Sequence, residues 1–123
     1  WGVMQRGRGQ MTDVGVAATQ MACSWEREEN LDRAENLVRQ AASGGASIVL
    51  VQELFETPYF PIEQCHKHRS LARPLGESEV VKRFSKLARE LDVVLPISFF
   101  EKAEWPNRPS GDIGFGLFQC TGE

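Results

Sequence analysis

The run Ser47-Ile48-Val49-Leu50-Val51-Gln52-Glu53-Leu54-Phe55 most constrains what this chain can fold into. A short β-branched apolar stretch of this kind suits a strand buried on both faces, the hallmark of a parallel sheet covered by helices. It stops abruptly at an amide and a carboxylate. Ligands of open α/β sheets sit just beyond the carboxyl ends of the strands, so Glu53 falls where chemistry is usually found. Desolvation by apolar neighbours moves a carboxylate toward the range useful to a general base. The alternative is plain: a glutamate that only finishes a strand at the surface.

The flanking segments supply the rest of a strand–helix–strand unit. Val14 to Gln20 is small and apolar enough for a first strand. Ser24 is expected to cap the helix that follows, with Glu26, Glu28 and Glu29 in its first turn, where the helix dipole favours negative charge. Leu31, Ala34, Leu37, Val38, Ala41 and Ala42 recur at helical spacing, and Gly44-Gly45 ends the element. Two parallel strands joined through a helix make a right-handed crossover. A second helix is expected after Ser78, with Val80, Val81, Phe84, Leu87, Ala88 and Leu91 inward and a solvated basic row of Lys82, Arg83, Lys86 and Arg89. Val93 to Ile97 is a third strand running into Ser98-Phe99-Phe100-Glu101, and Phe115, Leu117 and Phe118 suit a last short one. Glu101, a second glutamate at a strand end, either lines the same crevice as Glu53 or ends its strand without function.

Composition narrows the function classes. A chain of 123 residues holds one domain at most, and 41% hydrophobic with 25% charged residues is ordinary for a folded protein. A net charge of -3 argues against nucleic-acid binding, and no apolar run approaches a membrane span. Cys23, Cys65 and Cys120 form no disulfide framework; an odd count fits a reducing interior, so a cytoplasmic protein is expected. Cys65, His66 and His68 lack a second ligand pair, so no metal site is expected, and the helix face they occupy is read as solvated. Gly111, Gly114 and Gly116 have the wrong spacing for a phosphate loop. Residues 1–13 carry Arg6, Arg8 and three glycines with no apolar period and are read as a flexible extension, with Met11 a plausible natural start and the chain an excerpt or incomplete product.

Three blocks, Val16-Ala17-Ala18-Thr19-Gln20-Met21, Gly45 to Phe60 and Val94-Leu95-Pro96-Ile97-Ser98-Phe99-Phe100-Glu101, come in an order that resembles the amino-terminal part of the nitrilase (carbon–nitrogen hydrolase) superfamily. Gln52-Glu53-Leu54-Phe55-Glu56-Thr57-Pro58-Tyr59-Phe60 looks most like its N-carbamoylputrescine amidases. The resemblance implies an α/β fold, the amino-terminal part of a four-layer αββα sandwich, with 14–123 a partial carbon–nitrogen hydrolase domain. It also implies a Glu–Lys–Cys triad, in which a thiolate attacks, a lysine ammonium stabilises the oxyanion and a glutamate shuttles protons. Glu53 matches the glutamate. The implied reaction hydrolyses a carbamoylated amine through a carbamoyl-enzyme thioester to putrescine, ammonia and carbon dioxide, in polyamine biosynthesis. It implies no metal or organic cofactor, and a homo-oligomer in the intact family. Glu56, Tyr59 and Phe60, on the loop after the strand, are candidate substrate contacts, Glu56 for a distal ammonium; the aromatics equally suit a cover over the core.

The carboxyl-terminal part departs from the family pattern. Its Arg-Lys-x-His-like segment and its Cys-Trp-Asp-like elbow have no counterpart here, and neither Lys102 nor Cys120 has the context to replace them. Pro109-Ser110-Gly111-Asp112-Ile113-Gly114-Phe115 resembles a segment that normally follows the catalytic lysine. The expectation is an internal deletion between the Phe-Phe-Glu strand and this segment, with a chain inactive by itself. A non-catalytic subunit docking on full-length relatives and a small α/β binding domain are the competing readings.

Overall fold

The computed structural model describes residues 2–4, 13–59, 71, 73–102 and 113–120, with side chains described within 13–59, 71, 73–74 and 76–100. Among the described residues, five strands and two long helices follow one another: β1 (Gly2–Met4), β2 (Val14–Ala18), α1 (Arg27–Ser43), β3 (Ile48–Leu50), α2 (Glu79–Leu91), β4 (Leu95–Lys102) and β5 (Ile113–Cys120). The expected unit is present: β2 and β3 pair in parallel, Val16 opposite Ile48 and Ala18 opposite Leu50, with α1 between them in sequence. An isolated parallel bridge from Ile48 to Val94 joins β3 to the β4–β5 ribbon. That ribbon is antiparallel, with Phe100 opposite Phe115. β1 pairs antiparallel with β2, which gives residues 2–4 a place in the sheet although they fall in the stretch read as a flexible extension. Ladder hydrogen bonds use only backbone, so a segment without apolar alternation can still add a strand at an edge.

One core forms where the helices meet the sheet. Leu31, Ala34, Val38, Val80, Phe84 and Leu87 from the helices pack with Ala17, Val49, Leu95, Ile97 and Phe99 from the strands. The opposite face of the sheet is less covered, with Leu50 48% and Val14 39% exposed. Large apolar side chains on an open sheet face are the uncovered layer expected of part of a sandwich.

The helix ends separate local from tertiary control. Ser78 caps α2 as expected, its hydroxyl accepting from the Val81 amide, and Asp92 closes the helix in the left-handed conformation. At α1 the expectation fails: the cap position is Glu26, whose side chain makes no capping bond. Ser24 is drawn away because the buried Asn30 amide holds its backbone at both ends, accepting from its N–H at 2.9 Å and donating to its carbonyl at 2.6 Å. The basic row of α2 is also only partly solvated. Arg83 bridges to α1, donating to Asp32 at 2.6 Å and to Glu35 at 2.8 Å. Arg39 answers from α1, pairing with Glu35 at 2.9 Å and Glu90 at 3.0 Å. Burial pushes Glu35 up, but its hydrogen bonds from Arg39 and Arg83 outweigh this and hold its carboxyl below the usual value.

Candidate functional site

Beyond Leu50 the chain runs through Val51 and Gln52 into a turn over Glu53–Glu56, at the carboxyl end of a parallel strand. The turn is fastened from three neighbouring elements. From the β2 exit, the Met21 amide donates to Gln52 Oε1 at 2.9 Å, Gln52 Nε2 donates to Cys23 Sγ at 3.1 Å, and the Cys23 thiol donates to the Phe55 carbonyl at 3.3 Å. From β4, Ser98 Oγ accepts from the Leu54 amide at 2.8 Å. From α1, Asn30 Nδ2 donates to the Glu56 carbonyl at 2.8 Å. Below it, Phe55 meets Phe84 edge-on, with ring centroids 5.0 Å apart and an interplanar angle of 65°. The backbone at Leu54 is left-handed, φ 48°. For a residue with a Cβ that conformation costs about 1–2 kcal/mol, so the fastenings must over-determine it.

Glu53 itself is exposed, and among the described residues its carboxylate has no hydrogen-bond or ion-pair partner. Its apolar neighbours therefore do not cover it. The turn directs Leu54 and Phe55 into the core, where they are 4% and 0% exposed, and leaves the glutamate outside. Glu56 lies differently. Its side chain is 24% exposed and accepts from Arg27 Nε at 2.9 Å, while Arg27 also donates to Glu79 at 2.8 Å. A cavity of about 380 Å³ opens between the turn, the start of α2 and the end of β4; Arg27, Leu54, Glu56, Arg73, Glu79 and Phe99 are among its lining. Glu56 thus forms part of a cavity wall with an arginine already on its carboxylate, and Glu53 is not in that lining. Tyr59 is 43% exposed and is likewise not in the lining. Phe60, Cys65, His66 and His68 lie outside the described residues, and Glu101, Lys102 and Cys120 are described by backbone alone.

Cys23 is the one cysteine with a described side chain. Burial pushes its thiol up, against the opposing pull of the Arg33 charge, so it is held protonated and is a poor nucleophile. Asn30, Ser98, Gln52 and Cys23, the residues that fasten the turn, were not legible as such in the sequence. One signal was available: Asn30 falls in register with Ala34, Val38 and Ala41, a polar residue on an otherwise apolar stripe. Such a residue must satisfy its amide inside the protein.

Comparisons with known proteins bear on the family and the fold. The chain is 49% identical over 100 residues to an N-carbamoylputrescine amidase of Oryza sativa subsp. japonica, a match covering 81% of the chain and 33% of that protein. It is 39% identical over 92 residues to a citrullinase of Francisella tularensis, covering 75% of the chain and 32% of that protein. A crystal structure of a carbon–nitrogen hydrolase from Helicobacter pylori G27 superposes with a TM-score of 0.61 at 28% identity, covering 74% of the chain and 31% of its own. The chain thus spans about a third of the length of the curated relatives it matches. The fold is α/β, a partial domain of the nitrilase type. No helix among the described residues is long and apolar enough to cross a membrane. The sequence pattern of the carbon–nitrogen hydrolases matches residues 15–113, most of the chain, and the protein belongs to that family.

Proposed function

We propose that this chain carries the base-bearing part of a hydrolase that cleaves the ureido carbon–nitrogen bond of a small carbamoylated amine, N-carbamoylputrescine, giving putrescine, ammonia and carbon dioxide. One observation supports this above the others. Glu53 stands just past the end of a parallel strand on a turn fastened from three sides, in a chain 49% identical to an amidase of that name. A rigid backbone under an open carboxylate suits a base that must meet a substrate and a nucleophile arriving from outside the described residues. In this reading Glu53 takes the proton of a cysteine thiol as the sulfur attacks the ureido carbon and returns it to the departing nitrogen, while a lysine ammonium stabilises the oxyanion. Cys23 is not that cysteine, because its sulfur is engaged in fastening the turn, accepting from Gln52 Nε2 and donating to the Phe55 carbonyl instead of to Glu53. The chain supplies the base and, by itself, no turnover. Both named relatives point to a ureido substrate, so citrulline is the natural competitor.

Transplantation tests the proposal. Residues 14–102 replace the matching segment of the rice relative, and ammonia release is measured with N-carbamoylputrescine and with citrulline. Activity on the former is expected, and Glu53→Gln should lower kcat by about 10²- to 10⁴-fold, the usual contribution of a general base. A folded transplant whose turnover ignores Glu53→Gln would refute the assignment. A second reading, a non-catalytic partner of full-length subunits, is favoured by the open apolar face at Val14 and Leu50. Co-purification with a full-length relative would support it, and a clean monomer on sizing would count against it.

A further inference from the structure

Ser98 is the hydroxyl in the otherwise apolar run Leu95 to Phe100 of β4. It lies between Ile97 and Phe99, which are 1% and 2% exposed, and is itself 8% exposed. A buried hydroxyl is costly unless it is hydrogen-bonded, and the bond it makes is not within its own sheet. It reaches across to accept from the amide of Leu54, the residue immediately after Glu53 and the one whose backbone is left-handed. That amide belongs to the peptide plane joining Glu53 to Leu54. Leu54 and Phe55 are anchored in the core, 4% and 0% exposed, so a change of φ at Leu54 swings this plane and the Glu53 Cα–Cβ bond about the Leu54 N–Cα bond, and changes where the Glu53 side chain leaves the backbone. Right-handed backbone is the lower-energy state for an isolated leucine, so the plane has a standing tendency to turn away from its observed orientation.

We propose that Ser98 is a positioning residue for Glu53: its hydroxyl clamps the Glu53–Leu54 peptide in the left-handed turn and thereby fixes the direction from which the carboxylate is presented. The role rests on the reading of Glu53 as the base. The other fastenings fix Gln52, Phe55 and Glu56; Ser98 acts on the peptide that carries Glu53 itself.

The test uses the 123-residue chain, isotope-labelled for nuclear magnetic resonance, and reads two local quantities: exchange of the Leu54 amide, and residual dipolar couplings of the Leu54 N–H and Glu53 Cα–Hα vectors. In wild type the couplings should fit the left-handed turn and the amide should be protected. In Ser98→Ala the Leu54 amide should exchange at least about tenfold faster, the loss of roughly one net hydrogen bond. The two couplings should move while amides of Val38 and Phe84 change by less than about twofold. Ser98→Thr, which keeps the acceptor, should restore both readouts. Unchanged Leu54 exchange or couplings in Ser98→Ala would overturn the proposal, and so would a change shared equally by the core amides. Should Ser98→Ala not fold, the wild-type chain decides: a protected Leu54 amide supports the clamp and one exchanging like exposed turn amides overturns it. Glu53→Gln should leave all of these readouts as in wild type, so failure of Glu53 as the base would surface in the transplant assay and not here.

Discussion

Asn30→Ala tests whether the turn that carries Glu53 is held as described. The Asn30 side chain is 0% exposed and makes three hydrogen bonds, from the Ser24 amide at 2.9 Å and to the Ser24 and Glu56 carbonyls at 2.6 and 2.8 Å. Truncation leaves all three partners without it. Ser24 and Glu56 are both half-buried, so their backbone groups recover part of their hydration, at a loss for each near that of an ordinary net hydrogen bond. Together these give a destabilisation of about 2–4 kcal/mol. Urea unfolding followed by circular dichroism would measure it as a shift in midpoint at constant slope.

Asn30→Asp separates this account from simple loss of packing. The carboxylate still accepts from the Ser24 amide, but it sets an oxygen against two carbonyl oxygens where the amide had donors. Burial and those two acceptors both favour the neutral acid, which raises the folded-state pKa above the unfolded value of about 3.9. A folded state that binds the extra proton loses stability as pH rises through that interval. The deficit of Asn30→Asp against wild type should therefore be larger at neutral pH than in mild acid, while that of Asn30→Ala should stay constant. A cost below about 1 kcal/mol for Asn30→Ala, or a deficit in Asn30→Asp that does not shrink on acidification, would refute the reasoning.

Other perturbations probe the frame around the turn. A methyl at Gly15 would collide with the Gly45 carbonyl oxygen and approach Ala46 Cα to 3.2 Å, both of them backbone, so Gly15→Ala should lower the melting temperature through an overpacking cost of about 1–3 kcal/mol. Glu35 is held below its ordinary 4.5, so its contribution is present above that pH and is lost as pH falls below it. Urea midpoints from about pH 6 to about pH 3 should accordingly fall for wild type and fall less steeply for Arg83→Met, which keeps the aliphatic stem and removes one of the two guanidinium partners.

The sequence made α2 legible and the start of α1 illegible for one physical reason. Every device that builds α2, the Ser78 cap and the stripe through Val80, Phe84, Leu87 and Ala88, acts within a few residues and leaves a periodic trace. The start of α1 is set by Asn30 reaching back to Ser24 and outward to Glu56, a contact across 26 residues that leaves no local pattern. β5 is similar, since its length follows from its partner: Ile113 to Cys120 pair with the whole of Lys102 to Leu95. The position of Glu53 at a strand end was readable from the apolar run before it. Its exposure was not, because exposure depends on which way the turn carries Leu54, and leucine has no intrinsic preference for the left-handed backbone it adopts.

The same residues that defeat a local reading have something else in common. Leu54 is left-handed without being glycine, Ser98 is a hydroxyl in the apolar run Leu95 to Phe100 of its strand, and Asn30 is an amide on an apolar helix stripe. Each would be improved, taken alone, by a residue that obeys its local rule: glycine at the turn, an aliphatic side chain in the strand, alanine in the helix. They sit on three different elements, and the contacts of Ser98 and Asn30 converge with the strain of Leu54 on the four-residue turn at Glu53–Glu56. A turn that merely joined a strand to a loop would have no use for such agreement. Glycine would adopt its backbone without strain, and neither Ser98 nor Asn30 would need to be polar. Broken local rules that compensate one another at a single place are the pattern expected of a functional site rather than of a scaffold. That convergence is independent of sequence similarity, and it falls on the turn that carries Glu53.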